Sequence, residues 1–339
     1  MDRIRQSRGL SLAVAVLAPL PGSLAVAAIA TLGVETYGWG LFVALPFAVG
    51  LAAAALHRHL RGPSVGAAFG VATLALAVLA AALIVLGFEG ALCIVMALPI
   101  GGVAALCGAA ADRAARRREG RTGARTHAMA MCVALPLMMT VGEAGLDREP
   151  ELRPVTTTVV VDAPPDVVWK RVISFPRLPP PTEPAFRAGI AYPIEARIEG
   201  SGVGAVRRCR FSTGDFVEPV TAWEPGRLLR FGVTSQPPPM RELSPWGEVH
   251  PPHMDGFLRS RRGEFRLTAL PGGRTRVEGT TWYENRMWPE RYWRVWSDGL
   301  IHAIHRRVLV HIARVAERDA AAGRGRAAAP PPTSARAGG

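Results

Sequence analysis

Polar side chains interrupt the apolar stripe of a long helix predicted near the C terminus, about Glu290–Arg318. At 100° per residue, Ser297 and His311 lie inside that stripe and His305 lies at its rim. A buried hydroxyl or imidazole needs a hydrogen-bonding partner. That partner is either the protein itself or a molecule in a cavity beside the helix. These residues are therefore candidates for ligand binding, and a cavity histidine is also a candidate acid–base group.

The apolar part of the same stripe indicates which class of ligand would bind. Two tryptophans and an isoleucine offer a large apolar area, which suits a mainly apolar ligand with a small polar group. The predicted ligand-binding set is Trp293, Trp296, Ser297, Ile304, His305 and His311.

A second histidine pair, His250 and His253, flanks two prolines in a predicted loop. Together with His302, His305 or Asp255, this pair could form a metal site. The spacing is loose, and no cysteine or helical histidine pair supports it. A proline-rich loop held by histidine hydrogen bonds is the favoured interpretation, so we expect no metal and no cofactor.

Two glutamates on predicted strands, Glu264 and Glu278, could act as a general acid and base. Strand alternation places them on the same face as Arg266 and Arg276, respectively. This pattern favours a salt-bridged outer sheet face over a catalytic pair.

Two proline-rich segments, Phe175–Phe186 and Ser235–Gly256, are long enough to be lids over a cavity. The second contains isolated apolar residues, among them Trp246, and a tryptophan near a membrane can also lie in the interface. A packed surface loop is the other interpretation of both segments, and the sequence does not decide between them.

The first 145 residues contain apolar runs long enough to cross a bilayer. The shortest run, 128–141, contains Pro136 and could instead be a re-entrant or interfacial helix. About five transmembrane helices are predicted, at residues 10–32, 39–56, 65–86, 91–111 and 128–141.

Arginine alternates between the connections of these helices. The N terminus, His57–Pro63 and Asp112–His127 contain arginine, whereas Gly33–Gly38 and Gly87–Gly90 contain neither arginine nor lysine. Positively charged connections stay in the cytoplasm. The N terminus is therefore predicted to be cytoplasmic, and a fifth crossing would place the C-terminal half outside. We expect an integral protein of the bacterial inner (cell) membrane, with an uncleaved first helix rather than a signal peptide.

The distribution of charge argues against several functions, and the cysteines of the first half suggest no special role. The middle of each predicted span has no charged residue, which argues against a channel or transporter. The net charge of +13 is spread over the chain, so no nucleic-acid partner is expected. Cys93, Cys107 and Cys132 lie in apolar runs and are interpreted as small buried hydrophobic residues.

The second half of the chain predicts a strand, a short helix, six strands and the long helix. This order is typical of an α+β layer, in which an antiparallel sheet wraps around the final helix. The predicted domain covers residues 154–318 and is expected to fold independently. Residues 319–339 are predicted to be a disordered tail.

Specific segments of this half resemble the START-like (SRPBCC, polyketide cyclase/dehydrase and lipid transport) family. Thr158–Trp169 resembles its opening strand, Ala-Pro turn and helix. Val220–Phe231 resembles its central hairpin, and Gly272–Gly279 resembles its penultimate hairpin. The resemblance implies a helix-grip fold, but the family is functionally broad and the fold does not specify the chemistry.

Three functions remain open from the sequence. The first is a membrane-anchored domain that binds a hydrophobic or amphiphilic small molecule, such as a lipid. The second is a cyclase/aromatase-like or hydrolase-like enzyme that uses a cavity histidine. The third is a structural or regulatory membrane subunit without a ligand. The expected partners are the lipid bilayer and a small molecule, and the sequence predicts no particular protein partner.

Overall fold

The N-terminal half is a bundle of helices. The computed structural model describes residues 7–116, 124–146 and 149–328, and the side chains of 116, 124–133 and 325–328 lie outside that description. The helices are α1 (Arg8–Leu17), α2 (Leu20–Ala28, continued by a π turn, Ile29–Gly33), α3 (Leu45–Arg61, preceded by a π turn, Gly40–Ala44), α4 (Val65–Val85), α5 (Ala91–Arg116) and α6 (Ala124–Ala144).

Four segments of the described chain are long and apolar enough to cross a membrane. They are Arg8–Gly33, Gly40–Arg61, Val65–Val85 and Ala91–Ala115. The fifth predicted span, 128–141, falls within α6, most of whose first half is outside the described side chains. The side chain of Cys132 is also outside the description, and so is much of the arginine-rich connection 112–127.

Helices α3 and α5 approach each other closely because glycine lies at two of their contacts. A Cβ atom at Gly50 would collide with the carbonyl group of Ala105, and one at Gly108 would collide with the carbonyl oxygen of Phe47. Small residues allow helix backbones to come together in a membrane, where van der Waals packing stabilises association.

The C-terminal half contains a seven-stranded antiparallel sheet in the order β1-β9-β8-β5-β4-β3-β2. Its first strand pairs with its last, and a two-stranded hairpin, β6-β7, lies in the loop after β5. The strands are β1 (Arg153–Val161), β2 (Pro193–Glu199), β3 (Val206–Phe211), β4 (Gly214–Glu224), β5 (Leu228–Gly232), β6 (Glu242–Ser244), β7 (Gly247–Val249), β8 (Leu258–Leu270) and β9 (Arg274–Asn285).

Three helices accompany the sheet: α7 (Pro165–Ile173), α8 (Pro184–Arg187) and the long C-terminal α9 (Glu290–Ala328). A short 3₁₀ helix, Pro252–Met254, lies before β8. The main sheet agrees with the predicted strand, helix, six strands and long helix, whereas α8 and the hairpin β6-β7 were not predicted. A curled antiparallel sheet closed by a long final helix is the helix-grip architecture.

The long helix extends past its predicted end at residue 318. Ala320 is buried in the core, and Asp319 forms an ion pair with Arg171 of α7 at 2.6 Å. These contacts and the helix propensity of alanine extend α9 into the segment predicted to be a disordered tail. Residues 329–339 lie outside the description.

The main core of the C-terminal half is contained within that half. It joins α7, the sheet and α9, and its largest member, Trp169, packs edge-on against Trp223 with ring centroids 5.4 Å apart. All its buried members fall between Val161 and Ala320. A complete core of this kind supports independent folding.

A second apolar cluster crosses between the two halves, and we call it the interface cluster. The bundle contributes three buried residues and the C-terminal half contributes six. They are Tyr37, Phe42, Met96, Phe186, Ile190, Met240, Met254, Met287 and Trp293. The closest aromatic pair across the interface is Phe42 with Trp293, whose ring centroids are 4.7 Å apart.

Hydrogen bonds accompany this apolar contact. The backbone N–H of Trp288 donates to the carbonyl oxygen of Tyr37 at 2.8 Å. The indole N–H of Trp246 donates to the carbonyl oxygen of Val85 at 2.5 Å. The hydroxyl of Tyr292 donates to the carbonyl oxygen of Met96. The C-terminal half therefore rests on the end of the bundle that carries the connections 34–39 and 86–90.

We expect residues 151–328 expressed alone to unfold cooperatively, because their main core is complete. We also expect them to self-associate, because removal of the bundle exposes the C-terminal side of the interface cluster. Calorimetry and size-exclusion chromatography measure the two properties. Absence of a cooperative transition, in buffer and in detergent, would contradict the first expectation, and a strictly monomeric domain would contradict the second.

Candidate functional site

A cavity of about 110 Å³ lies between the curled sheet and the middle of α9. Strands β3, β4, β5, β8 and β9 form one wall, and one side of α9 forms the other. Its lining comprises Arg207, Cys209, Phe211, Phe216, Glu218, Phe231, Val233, Ser260, Arg262, Gly263, Glu264, Phe265, Gly279, Thr280, Thr281, Ile301, Ile304, His305 and Val308.

Aromatic rings form much of the sheet wall. Phe211 and Phe216 face each other across the β3-β4 hairpin with ring centroids 4.7 Å apart. Phe231 and Phe265 lie on the neighbouring strands β5 and β8 with centroids 6.1 Å apart. Such walls accept apolar groups through contact area rather than through direction.

The main charged group in the cavity wall is an ion pair between Arg207 of β3 and Glu218 of β4. Both side chains are almost fully buried. Burial raises the pKa of the Glu218 carboxyl, and the Arg207 guanidinium acts in the opposite direction. A buried pair of this kind tolerates the loss of one partner poorly, because the remaining charge is then uncompensated.

The Arg207 guanidinium also lies among three phenylalanine rings, those of Phe175, Phe231 and Phe265, with its carbon 5.3–5.6 Å from their centroids. Its Nε–H is buried and has no hydrogen-bond partner among the described residues. A buried donor without an acceptor costs free energy. In a cavity wall, such a donor can be satisfied by a ligand oxygen or by water.

His305 borders the cavity from α9. Its Nδ1 lies 3.2 Å from the hydroxyl of Thr157, and its Nε2 lies 2.7 Å from that of Thr281. Burial lowers the pKa of His305 to about 4, and the neighbouring His302 adds to the effect. At neutral pH the ring is therefore neutral, with both nitrogens hydrogen bonded to threonine.

The structure brings two of the six predicted site residues, Ile304 and His305, to this cavity. Ser297 instead hydrogen bonds to the hydroxyl of Tyr283 at 2.8 Å and is buried there. Trp293 and Trp296 contribute to the interface cluster. These three residues lie one to three turns before the cavity along α9.

The sixth predicted residue, His311, lies one turn beyond the cavity. Its ring centroid is 6.3 Å from that of Phe175, and it borders a surface depression beside Pro179. Burial lowers the pKa of His311. The cavity is therefore shorter along the helix than the predicted stripe, and Ser297 and His311 lie about one turn outside its two ends.

The two glutamate candidates do not form a pair, although Glu264 borders the cavity. Sheet register places Glu264 opposite Thr280 and Glu278 opposite Arg266, so the two glutamates are not cross-strand neighbours. Glu264 instead forms ion pairs with Arg230 and Arg266, both at 2.8 Å.

The two proline-rich segments are packed against the rest of the protein. Phe175 and Leu178 belong to the main core of the C-terminal half. Met240 and Met254 attach the second segment, Ser235–Gly256, to the bundle through the interface cluster. Within that segment, His250 pairs with Asp255 on the surface at 2.9 Å, whereas His253 is buried.

Sequence reasoning missed the cavity's ion pair and its phenylalanines. Strand alternation contained a signal for the arginine, because Arg207 shares a face of β3 with Cys209, a residue expected to be buried. Burial raises the pKa of Cys209 to about 12, so its thiol stays protonated. An arginine in an arginine-rich strand is usually expected to be exposed, and this expectation explains why the sequence did not identify Arg207 as a buried residue.

No protein-family model and no curated protein matches the sequence. Solved structures match its C-terminal half. The Zhui aromatase/cyclase from a Streptomyces species shares 16% identity with it, with a TM-score of 0.32, over 53% of this chain and 100% of that chain. A norcoclaurine synthase from Thalictrum flavum shares 9%, with a TM-score of 0.33, over 51% and 99%. The Aha1 dimer from Colwellia psychrerythraea shares 13%, with a TM-score of 0.28, over 49% and 96%.

We expect the stability of the C-terminal half to decrease as the pH falls from about 6.5 to about 4, because unfolded His305 takes up a proton that the folded protein resists. A pKa lowered from 6.5 to about 4 corresponds to a loss of about 3 kcal/mol at the acid end. His305→Gln should remove most of this dependence while keeping hydrogen bonds to the threonines. Thermal melts of the full chain across that pH range measure it.

His302→Gln is the matched control, since His302 lies on the exposed side of the same helix. It should keep most of the acid sensitivity of the native protein. Equal acid sensitivity in the native protein and His305→Gln would show that His305 does not titrate in this range.

Proposed function

We propose that the C-terminal half binds a small, mainly apolar molecule with one polar group in the cavity between the sheet and α9. The observation that carries the proposal is the buried Nε–H of Arg207, which has no hydrogen-bond partner in the described part of the chain and lies in a wall otherwise rich in phenylalanine. Apolar walls with few, directed polar groups are typical of small-molecule sites.

The volume of the cavity limits the size of the ligand. A cavity of about 110 Å³ is below the range of roughly 300–1,000 Å³ typical of drug-sized ligands. It is closer to an engineered apolar cavity of about 150 Å³ that admits benzene. The ligand is therefore a single-ring compound, or one short apolar segment of an amphiphile whose remainder stays outside.

The charges in the wall indicate which polar group the ligand carries. Arg207 borders the cavity, and its Nε–H, which has no partner among the described residues, needs an acceptor, whereas the guanidinium of the exposed Arg262 lies over the Trp282 ring, 4.3 Å from its centroid. A carboxylate or phenolic oxygen supplies that acceptor, and the hydrogen bond is charge-assisted because the guanidinium donor is a cation. An acidic or phenolic aromatic molecule is accordingly favoured over a plain hydrocarbon.

The state of His305 favours binding over acid–base catalysis. A general acid–base group works best with a pKa near the working pH. The pKa of His305 is lowered to about 4, and both ring nitrogens already contact threonine hydroxyls. These features suit a neutral, fixed wall residue.

We expect Ile304→Trp to abolish binding of benzoate, because the larger side chain fills the cavity beside α9. In the native protein, benzoate should bind about ten- to a hundredfold more tightly than benzene, since a hydrogen bond to a charged group contributes about 1.5–3 kcal/mol. Ligand-observed NMR on the full chain in detergent micelles measures both affinities.

Val295→Trp is the control, because Val295 is exposed on the same helix and does not border the cavity. It should leave benzoate binding unchanged. Equal binding of benzoate to native protein and Ile304→Trp would contradict the cavity as the site. Mass spectrometry of molecules that co-purify with the native protein then identifies the natural ligand class.

We also propose that this domain is anchored on the extracytoplasmic side of a bacterial inner membrane. The proposal is supported by the position of the domain, which packs on one end of the bundle. The two connections at that end contain glutamate and no arginine or lysine. Positively charged connections favour the cytoplasmic side. The domain thus belongs with the opposite side.

Reporter fusions after Arg318 test the side of the membrane. Alkaline phosphatase, which is active outside the cytoplasm, should be active at that position. Green fluorescent protein exported through the same fusion should be dark. Bright fluorescence with inactive phosphatase would place the domain in the cytoplasm.

A further inference from the structure

Four buried polar side chains meet where the bundle contacts the C-terminal half. Cys93 comes from the start of α5 and Glu89 from the connection just before it, and Glu242 and His253 come from the proline-rich segment 235–256. Each is at most 5% exposed. Donor atoms of Glu89, Cys93 and His253 all lie within 4.8 Å of one another.

Local structure explains why these side chains converge. Cys93 lies in the first turn of α5, and Glu89 lies in the bend just before that helix, where the chain turns back toward the Cys93 side chain. Pro251 and Pro252 begin the short 3₁₀ helix that carries His253. The His253 ring packs edge-on against Tyr37, with centroids 5.2 Å apart, and is thereby directed into the cluster.

The hydrogen bonds of the cluster leave specific donor atoms unused. One oxygen of Glu89 accepts a hydrogen bond from the Tyr37 hydroxyl at 2.8 Å. The other Glu89 oxygen and both ring nitrogens of His253 are buried and have no hydrogen-bond partner among the described residues. Buried polar atoms usually have partners. Unpaired atoms that face one another are a sign of a missing ligand.

Charge points the same way. Glu89 Oε2 lies 3.3 Å from His253 Nδ1, and Glu242 Oε1 lies 3.9 Å from His253 Nε2. Within the part of the chain that the structure describes, His253 is the one basic side chain recorded in an ion pair with either carboxylate. Two buried carboxylates and a thiol thus share one imidazole, and a divalent cation would offset their charge.

We propose that Glu89, Cys93 and His253 bind a zinc-class divalent cation that holds the C-terminal half on the bundle. A thiolate, an imidazole and a carboxylate are the ligand types of zinc. Tetrahedral zinc brings its ligand atoms to roughly 3.4 Å from one another, which side-chain rotation achieves from the observed spacing. Water or the adjacent Glu242 supplies the fourth position.

The surroundings match those of a protein metal site. Tyr37 orients Glu89 through a hydrogen bond, as outer-sphere partners of metal ligands do. Glu89 and Cys93 also border a cavity of about 70 Å³ inside the bundle, so one side of the cluster has space. The ligands come from both halves of the chain, so the ion would join them.

Zinc content tests the proposal. The full chain, purified in detergent with a tag that contains no histidine, should contain about one zinc per chain by mass spectrometry. Cys93→Ser, Glu89→Gln and His253→Gln should each reduce this content about tenfold or more. Cys107→Ser and His250→Gln are matched controls on an exposed cysteine and an exposed histidine, and both should retain the metal.

Cobalt substitution of the native protein keeps the test decisive if a variant fails to fold. Cobalt in the site should give the near-ultraviolet charge-transfer band of a thiolate ligand, and Cys107→Ser should keep that band. Removal of zinc by a chelator should lower the Tm of the native protein by about 5 °C or more, and added zinc should restore it. Native protein without zinc, without the cobalt band and with a Tm insensitive to both treatments would overturn the proposal and leave a metal-free His–Glu pair.

Discussion

The junction of the two halves depends on a buried carboxylate from the C-terminal half that caps a helix of the bundle. Glu242 accepts hydrogen bonds from the N–H groups of Leu92 at 3.0 Å and Cys93 at 2.7 Å. The first N–H groups of a helix lack partners within the helix, and its N terminus attracts negative charge. Burial raises the pKa of Glu242, while the N–H of Cys93, the charge of His253 and the N–H of Leu92 act in the opposite direction. Gly90 makes the contact possible, because a Cβ atom there would collide with the Glu242 side chain.

The helix α9 connects the junction with the rest of the C-terminal half. Its first turns contact the bundle through Trp293, its middle borders the cavity through Ile304, and its last turns pack on α7 near Ala320. One continuous helix therefore contacts the bundle and borders the cavity of the C-terminal half. A displacement of the helix that widens the cavity would also change the contact with the bundle.

Two glycines of the sheet allow aromatic rings and the helix α9 to pack closely beside the cavity. A Cβ atom at Gly263 would collide with the Phe231 ring, and one at Gly279 would contact Leu309 and Phe265. These glycines let the rings and the helix approach the strands. The buried ion pair of Arg207 and Glu218 occupies a part of the wall that apolar side chains would otherwise fill.

The amino-acid sequence by itself determined four of the five predicted apolar spans, the order of the main-sheet strands with α7 and α9, and the helix-grip class. These follow from periodicity, proline and glycine positions and length, which act locally along the chain. It also indicated Ile304 and His305, because a helical stripe fixes which residues share a face. It did not reveal where the cavity ends along that stripe, since this depends on which side chains of the sheet meet the helix.

Only the tertiary structure decided that Arg207 faces inward, and that Glu89 and Cys93 meet His253. Cys93 has the sequence context of a small buried residue, and Glu89 that of a loop acid. His253 was considered for metal binding only with nearby residues of the C-terminal half. Its contacts come from the bundle, because the docking of two halves brings together residues that are far apart in the chain, and no local pattern encodes that contact.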